Sequence, residues 1–93
     1  DLIDTFVTEL EPRLEQLQRA CDDRDHDALG RLAHFVAGSA SNLGFLRLSK
    51  LCRNTEHAVE DARFEAFTFC ALAINREYHK AIDTLRAKVG AQS

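Results

Sequence analysis

Apolar residues recur along this chain in steps of three and four and never in steady steps of two. That pattern lines one side of an α-helix and cannot line one face of a β-strand. Toward the C-terminus Phe67, Ala71, Ile74, Tyr78, Ile82, Leu85 and Val89 follow intervals of 4-3-4-4-3-4, close to the seam of a bundle helix. Strand-like alternation, internal repeats and low-complexity segments are absent. The spacing therefore predicts an all-α protein.

The same rule divides the rest of the chain. Ile3, Phe6, Val7, Leu10, Leu14, Leu17 and Cys21 mark a first helical stripe, interrupted at Pro12. Proline removes a backbone donor and disfavours helix at the residue before it, so a short helix to about Leu10 and a second from Glu11, or one kinked helix, is expected. The polar run Asp22–Asp27 supplies Asp25 as an N-cap for a helix over His26–Leu43, which should stop at Gly44. A further helix over Phe45–Asp61 carries Leu48, Leu51, Cys52, Thr55, Ala58, Val59 and Ala62 on one side. Short connections make neighbours antiparallel, giving a four-helix bundle with a short or kinked additional N-terminal helix.

At 93 residues with 45% apolar and 29% charged content, residues 1–93 form one globular domain. A chain this small must bury long apolar stripes efficiently, and a bundle does so. The net charge of -3, with no basic run, argues against nucleic-acid binding. No apolar run approaches the roughly 20 residues of a membrane span. The start, "DLIDTFVTEL", lacks the features of a signal peptide. A cytoplasmic domain without membrane contact, monomeric in isolation, is expected. The absence of methionine points to a piece of a longer polypeptide. Cys21, Cys52 and Cys70 are odd in number and widely spaced, which suits buried free thiols better than disulfides.

One residue does not fit the core pattern. With a helix advancing about 100° per residue, Leu29, Leu32, Val36, Ala40 and Leu43 occupy an arc of about 160–240° from His34, so His34 points away from the core. On its own face lie Gly30, Gly38 and Ser41, with Ala37 at the shoulder. Each helical glycine costs about 1 kcal/mol relative to alanine, which a merely solvated face has no reason to accept. Close approach of something to His34 is one explanation; a surface histidine beside glycines that serve helix packing is the other.

The chemistry open to this face is narrow. A hydrolytic triad needs an orienting carboxylate and a serine or cysteine nucleophile. Positions three and four residues from His34 are Gly30, Arg31, Ala37 and Gly38, and Asp27 is about 10 Å away by helix rise. Histidines 26, 34, 57 and 79 form no i, i+4 pair and no Glu-x-x-His arrangement, so no metal site is expected. His26, His57 and His79 fall in solvated or boundary positions. An exposed neutral imidazole, however, keeps a lone pair for attack on phosphorus. Phosphoryl transfer needs positioning and charge neutralisation, which a docked partner with its own metal can supply.

The stretch "AHFVAGSASNLGFLRLSKLCRNTE", Ala33 to Glu56, resembles the histidine phosphotransfer (HPt) domain family. Its pattern of His-x-Leu-Lys-Gly-Ser, then Leu-Gly and a Leu-x-x-Leu-Cys helix, is matched at His34, Gly38, Ser39, Leu43, Gly44, Leu48, Leu51, Cys52 and Glu56. "LIDTFVTELEPRLEQLQRA" and "REYHKAIDTLRA" look like the family's leading and closing helices.

The resemblance implies an antiparallel four-helix bundle that is a phosphotransfer intermediate, not an enzyme in its own right. His34 would accept a phosphoryl group from a receiver-domain aspartate and return it to another receiver, the partner carrying Mg2+. Gly38 would give the receiver clearance. Gly30, Arg31, Phe35, Ala37, Ser41 and Phe45 are candidates for the docking rim, and Ser39 is expected to bond within the fold. The family's lysine three residues after the histidine is Ala37 here; Arg31, a partner residue, Lys50 or Arg47 would have to replace its charge. A hybrid sensor kinase with this chain as its C-terminal module is the expected parent. A degenerate module that docks a receiver or kinase without transfer is the rival reading, and a purely structural or metal-binding bundle the third.

Overall fold

The computed structural model describes residues 2–61 and 67–92. They form α1 (Leu2–Asp22), α2 (His26–Asn42), α3 (Leu46–Glu60) and α4 (Phe67–Gln92). Each helix packs on the next, and α4 returns to α1, while the backbones of the diagonal pairs do not come close among the described residues. This ring is a four-helix bundle. Ala62 and the side chain of Phe67, both assigned above to apolar faces, lie outside the described residues.

The additional N-terminal helix does not exist: α1 runs through Pro12 as one helix of 21 residues. A proline inside a helix costs about 3 kcal/mol, but Phe6, Leu10, Leu14, Leu17, Ala20 and Cys21 are all buried on one stripe that spans it. Burial of each large side chain contributes about 1.5–3 kcal/mol, so the stripe outweighs the break. Pro12 and Thr8 are both exposed, and water can satisfy the carbonyl that loses its donor.

Both α1 and α2 end in the same backbone motif. Asp25 N–H donates to Ala20 O at 2.8 Å and Arg24 N–H to Cys21 O at 3.2 Å; Phe45 N–H donates to Ala40 O at 2.8 Å and Gly44 N–H to Ser41 O at 3.1 Å. These paired bonds are a Schellman termination, which needs a left-handed residue just past the helix. Gly44 fills that place in α2 with φ +76°, and Arg24 fills it in α1 with φ +55°. Asp25 then caps α2 as expected, its carboxylate accepting from Ala28 N–H at 3.2 Å.

The core is built from the predicted stripes. Leu10, Leu17, Leu29, Val36, Leu48, Cys52, Thr55, Ile74 and Tyr78 are fully buried. Val89, read as part of the α4 seam, is half exposed. At 26 residues α4 is the longest helix and α3, at 15, the shortest; at 1.5 Å per residue the end of α4 outruns its neighbour.

Three contacts set the register of α2 against α3. Ser41 meets Ser49, His34 meets Glu56, and Gly30 faces Val59. Positions descend along α2 as they ascend along α3, so this pair is antiparallel.

Candidate functional site

His34 stands near the middle of α2 with its side chain 75% exposed, and its Nδ1 lies 3.0 Å from Glu56 Oε2. A carboxylate only accepts, so Nδ1 carries the proton and donates it. Nε2 is left with its lone pair on this exposed side chain. The carboxylate that no position near His34 in sequence supplied comes from α3, 22 residues further on. Glu56 is one turn beyond Cys52 on the α2-facing side of α3. Only the loop between the helices settles which turn of α3 stands beside which turn of α2.

The small residues around His34 divide into two kinds. Gly30 is half-buried, and a Cβ there would meet Val59 Cγ1 at 3.6 Å; at Gly38 a Cβ would meet nothing within 4 Å. Gly30 therefore lies against α3, whereas no described residue meets a Cβ at position 38. Ala37 is corrected: it is only 1% exposed and cannot form a docking surface. Helix α3 approaches α2 on the side of Gly30, Ala37 and Ser41, which closes the shoulder where Ala37 sits. The open side of His34 is that of Arg31, Phe35 and Gly38.

The remaining candidates are distributed as follows. Arg31 lines a shallow depression with Gly30, His34, Glu56, Val59 and Glu60, and its Nε donates to Asp27 O at 3.3 Å. Phe35 is 39% exposed and stacks under the Arg13 guanidinium, 4.0 Å from its ring centre. Phe45 is half-buried and packs edge-on against Phe6, 5.5 Å between ring centres, at the far end of α2. The serine that bonds across the fold is Ser41, whose hydroxyl lies 2.7 Å from that of Ser49. Ser39 makes no side-chain hydrogen bond among the described residues, contrary to expectation. Arg47 reaches Glu77 on α4 at 4.0 Å, and Lys50 is exposed.

Other chemistries find little here. Cys52 is buried, and burial, then the nearby Glu56 carboxylate, push its thiol from 9.0 up to about 12, so it is no thiolate nucleophile. His57 pairs with Glu60 at 3.6 Å, and His79 lies edge-on to Tyr78. Among the described residues no group of three or more His, Cys, Asp or Glu could hold a metal ion. No described helix is long and apolar enough to cross a membrane.

An antiparallel four-helix bundle carrying an exposed histidine is the arrangement that the sequence resemblance implies; the bond from Glu56 to Nδ1 is added by the structure. The family model described as "Hpt domain" matches residues 1–88. The chain belongs to the Hpt family. Hpt domains are phosphotransfer intermediates in phosphorelay signal transduction rather than enzymes with turnover of their own, and they interact with receiver domains. The chain is similar to the phosphorelay intermediate protein YPD1 of Candida albicans, 26% identical over 66 residues that make up 71% of this chain and 36% of that protein. It thus spans about a third of that relative. It also resembles the crystal structure of histidine-containing phosphotransfer protein B (HptB) from Pseudomonas aeruginosa PAO1, with a TM-score of 0.87 and 27% identity over 99% of this chain and 79% of that one.

Proposed function

We propose that His34 is the phosphoryl acceptor of this Hpt domain and that the donor is an aspartyl phosphate on a receiver domain. The observation that carries this reading is the exposed imidazole whose Nδ1 is held by Glu56. The Nε2 lone pair attacks phosphorus, a P–N bond forms, and the bond from phosphorus to the aspartate oxygen breaks. The electron pair leaves with the aspartate as carboxylate. The Nδ1 proton stays in place, so the ring becomes a phosphoimidazolium whose positive charge faces the Glu56 carboxylate. Return of the phosphoryl group to a second receiver is the same step reversed. The receiver carries the Mg2+ that neutralises the transferring group.

Gly38 leaves room for the receiver to close over Nε2, and Arg31 and Phe35, on the open side of His34, belong to the docking rim around it, whereas Gly30 and Ser41 lie against α3 and Phe45 packs on Phe6. Incubation with a phosphorylated receiver and Mg2+ tests the reading: acid-labile, alkali-stable label on the wild type and none on His34→Gln is expected. The absence of the family's lysine at Ala37 favours a second reading, docking without transfer. Tight receiver binding with no label on the wild type would establish that one instead.

A further inference from the structure

The phosphoryl site described above has an electrostatic deficit. The α3 edge beside His34 presents Glu56 and, one turn on, Glu60, and a phosphoryl group adds further negative charge there. At position 37, where the family places a lysine, a buried alanine supplies nothing. A site that gathers this much negative charge needs a cation of its own.

The helix register shows where one stands. Ser41 lies beside Ser49 and His34 beside Glu56, so the turn of α2 that holds Ala37 and Gly38 faces the turn of α3 that holds Arg53. On a helix, residues three and four apart share a side, which puts Arg53 on the outward edge of α3 between Ser49 and Glu56. Arg53 is exposed and has no hydrogen-bond or ion-pair partner among the described residues.

The other basic residues are less well placed. Arg31 is one turn before His34, next to Glu60, and already donates its Nε to Asp27 O. Arg47 is drawn to Glu77 on α4. Lys50 is a turn further from Glu56, beyond Arg53.

We propose that Arg53 replaces the missing lysine, reaching from α3 across the groove to hold the phosphoryl group on His34. This rests on His34 being the acceptor. A guanidinium suits the duty because its fork of donors matches phosphate oxygens two at a time. The same charge offsets Glu56, which lets one carboxylate orient the imidazole without repelling what the imidazole receives.

The test uses the domain, a phosphorylated receiver and Mg2+, with wild type, Arg53→Gln, Arg53→Lys, Arg53→Ala and Arg31→Gln. Arg53→Gln should slow transfer roughly tenfold, the scale of one charge-assisted contact. Once labelled and separated from the receiver, it should lose its phosphohistidine several times faster than wild type. Arg53→Lys should retain much of both properties, and added ethylguanidinium should restore the lifetime of Arg53→Ala. Thermal melts of all variants should superimpose on wild type, because an exposed charge contributes little to folding.

An Arg53→Gln domain with wild-type transfer and lifetime overturns the proposal. So does a change in receiver affinity alone, with the lifetime untouched, which would make Arg53 a docking residue. The full loss appearing in Arg31→Gln would assign the duty to Arg31. A wild type that takes no label brings down the acceptor reading itself, and is recognised by the missing label before any variant is compared.

Discussion

The imidazole of His34 and the carboxylate of Glu56, on different helices, are joined by a hydrogen bond of 3.0 Å. Through it α3 decides which nitrogen of an α2 histidine carries the proton. Glu56→Ala removes that control, and the ring is free to rotate and to change tautomer. Phosphoryl transfer to His34 should fall by about tenfold or more, the worth of a hydrogen bond to a charged group. Glu56→Gln keeps an oxygen for Nδ1–H but loses the charge, so it should lie between wild type and Glu56→Ala. Rapid-quench transfer rates from a labelled receiver measure both. The melting temperatures should change little, since the His34 side of the pair is 75% exposed and screened by water.

The two glycines beside His34 should separate under substitution. Gly38→Ala replaces a helical glycine where a Cβ meets nothing within 4 Å, so it should stabilise the domain by up to about 1 kcal/mol. Gly38→Leu should fold as well and yet block close docking, cutting transfer by at least tenfold if clearance is what the glycine provides. Gly30→Ala places its methyl in ordinary contact with Val59, at 3.6 Å, and should leave transfer near wild type. Urea titrations paired with transfer rates distinguish the three.

Most of the fold was legible because periodicity and capping are local properties. The Asp25 cap, the stop at Gly44 and the buried stripes of all four helices can each be seen within a few residues of sequence. Pro12 left open whether one helix or two precede Asp22 for the same reason: its penalty is local, whereas the burial of Leu10 and Leu14 that overrides it comes from other helices. His34 was legible as an outward residue on the helical wheel. Its relation to Glu56 was not, because it depends on the register set by the turn at Leu43–Phe45. Ala37 failed likewise: a wheel centred on one helix cannot show from which side the next helix arrives.

The two left-handed helix ends make opposite predictions for stability. Gly44, at φ +76°, has no side chain to strain, and Gly44→Ala should destabilise the domain by about 1–2 kcal/mol, the cost of the left-handed region for other residues. Arg24 already bears that cost at φ +55°. Arg24→Gly should therefore recover part of it, giving a gain on the order of 0.5–1 kcal/mol. Denaturant midpoints are the measurement. Neither site is near His34, so transfer rates should not follow stability in either variant.

Alkali should unfold the domain through two buried groups. Burial raises Cys52 from 9.0 to about 12 and Tyr78 from 10.0 to about 12. The unfolded chain thus releases both protons before the native state does. Stability from these groups is fully present below about pH 9 and is lost as pH rises toward 12. Urea midpoints taken from pH 8 to 11 should fall with pH, and the fall should be shallower in a Cys52→Ala, Tyr78→Phe double variant. The Tyr78 hydroxyl is buried without a hydrogen-bond partner among the described residues, and such a group costs about 1–3 kcal/mol. Tyr78→Phe alone should therefore be at least as stable as wild type at pH 8, and a marked loss would mean that this hydroxyl finds a partner in solution.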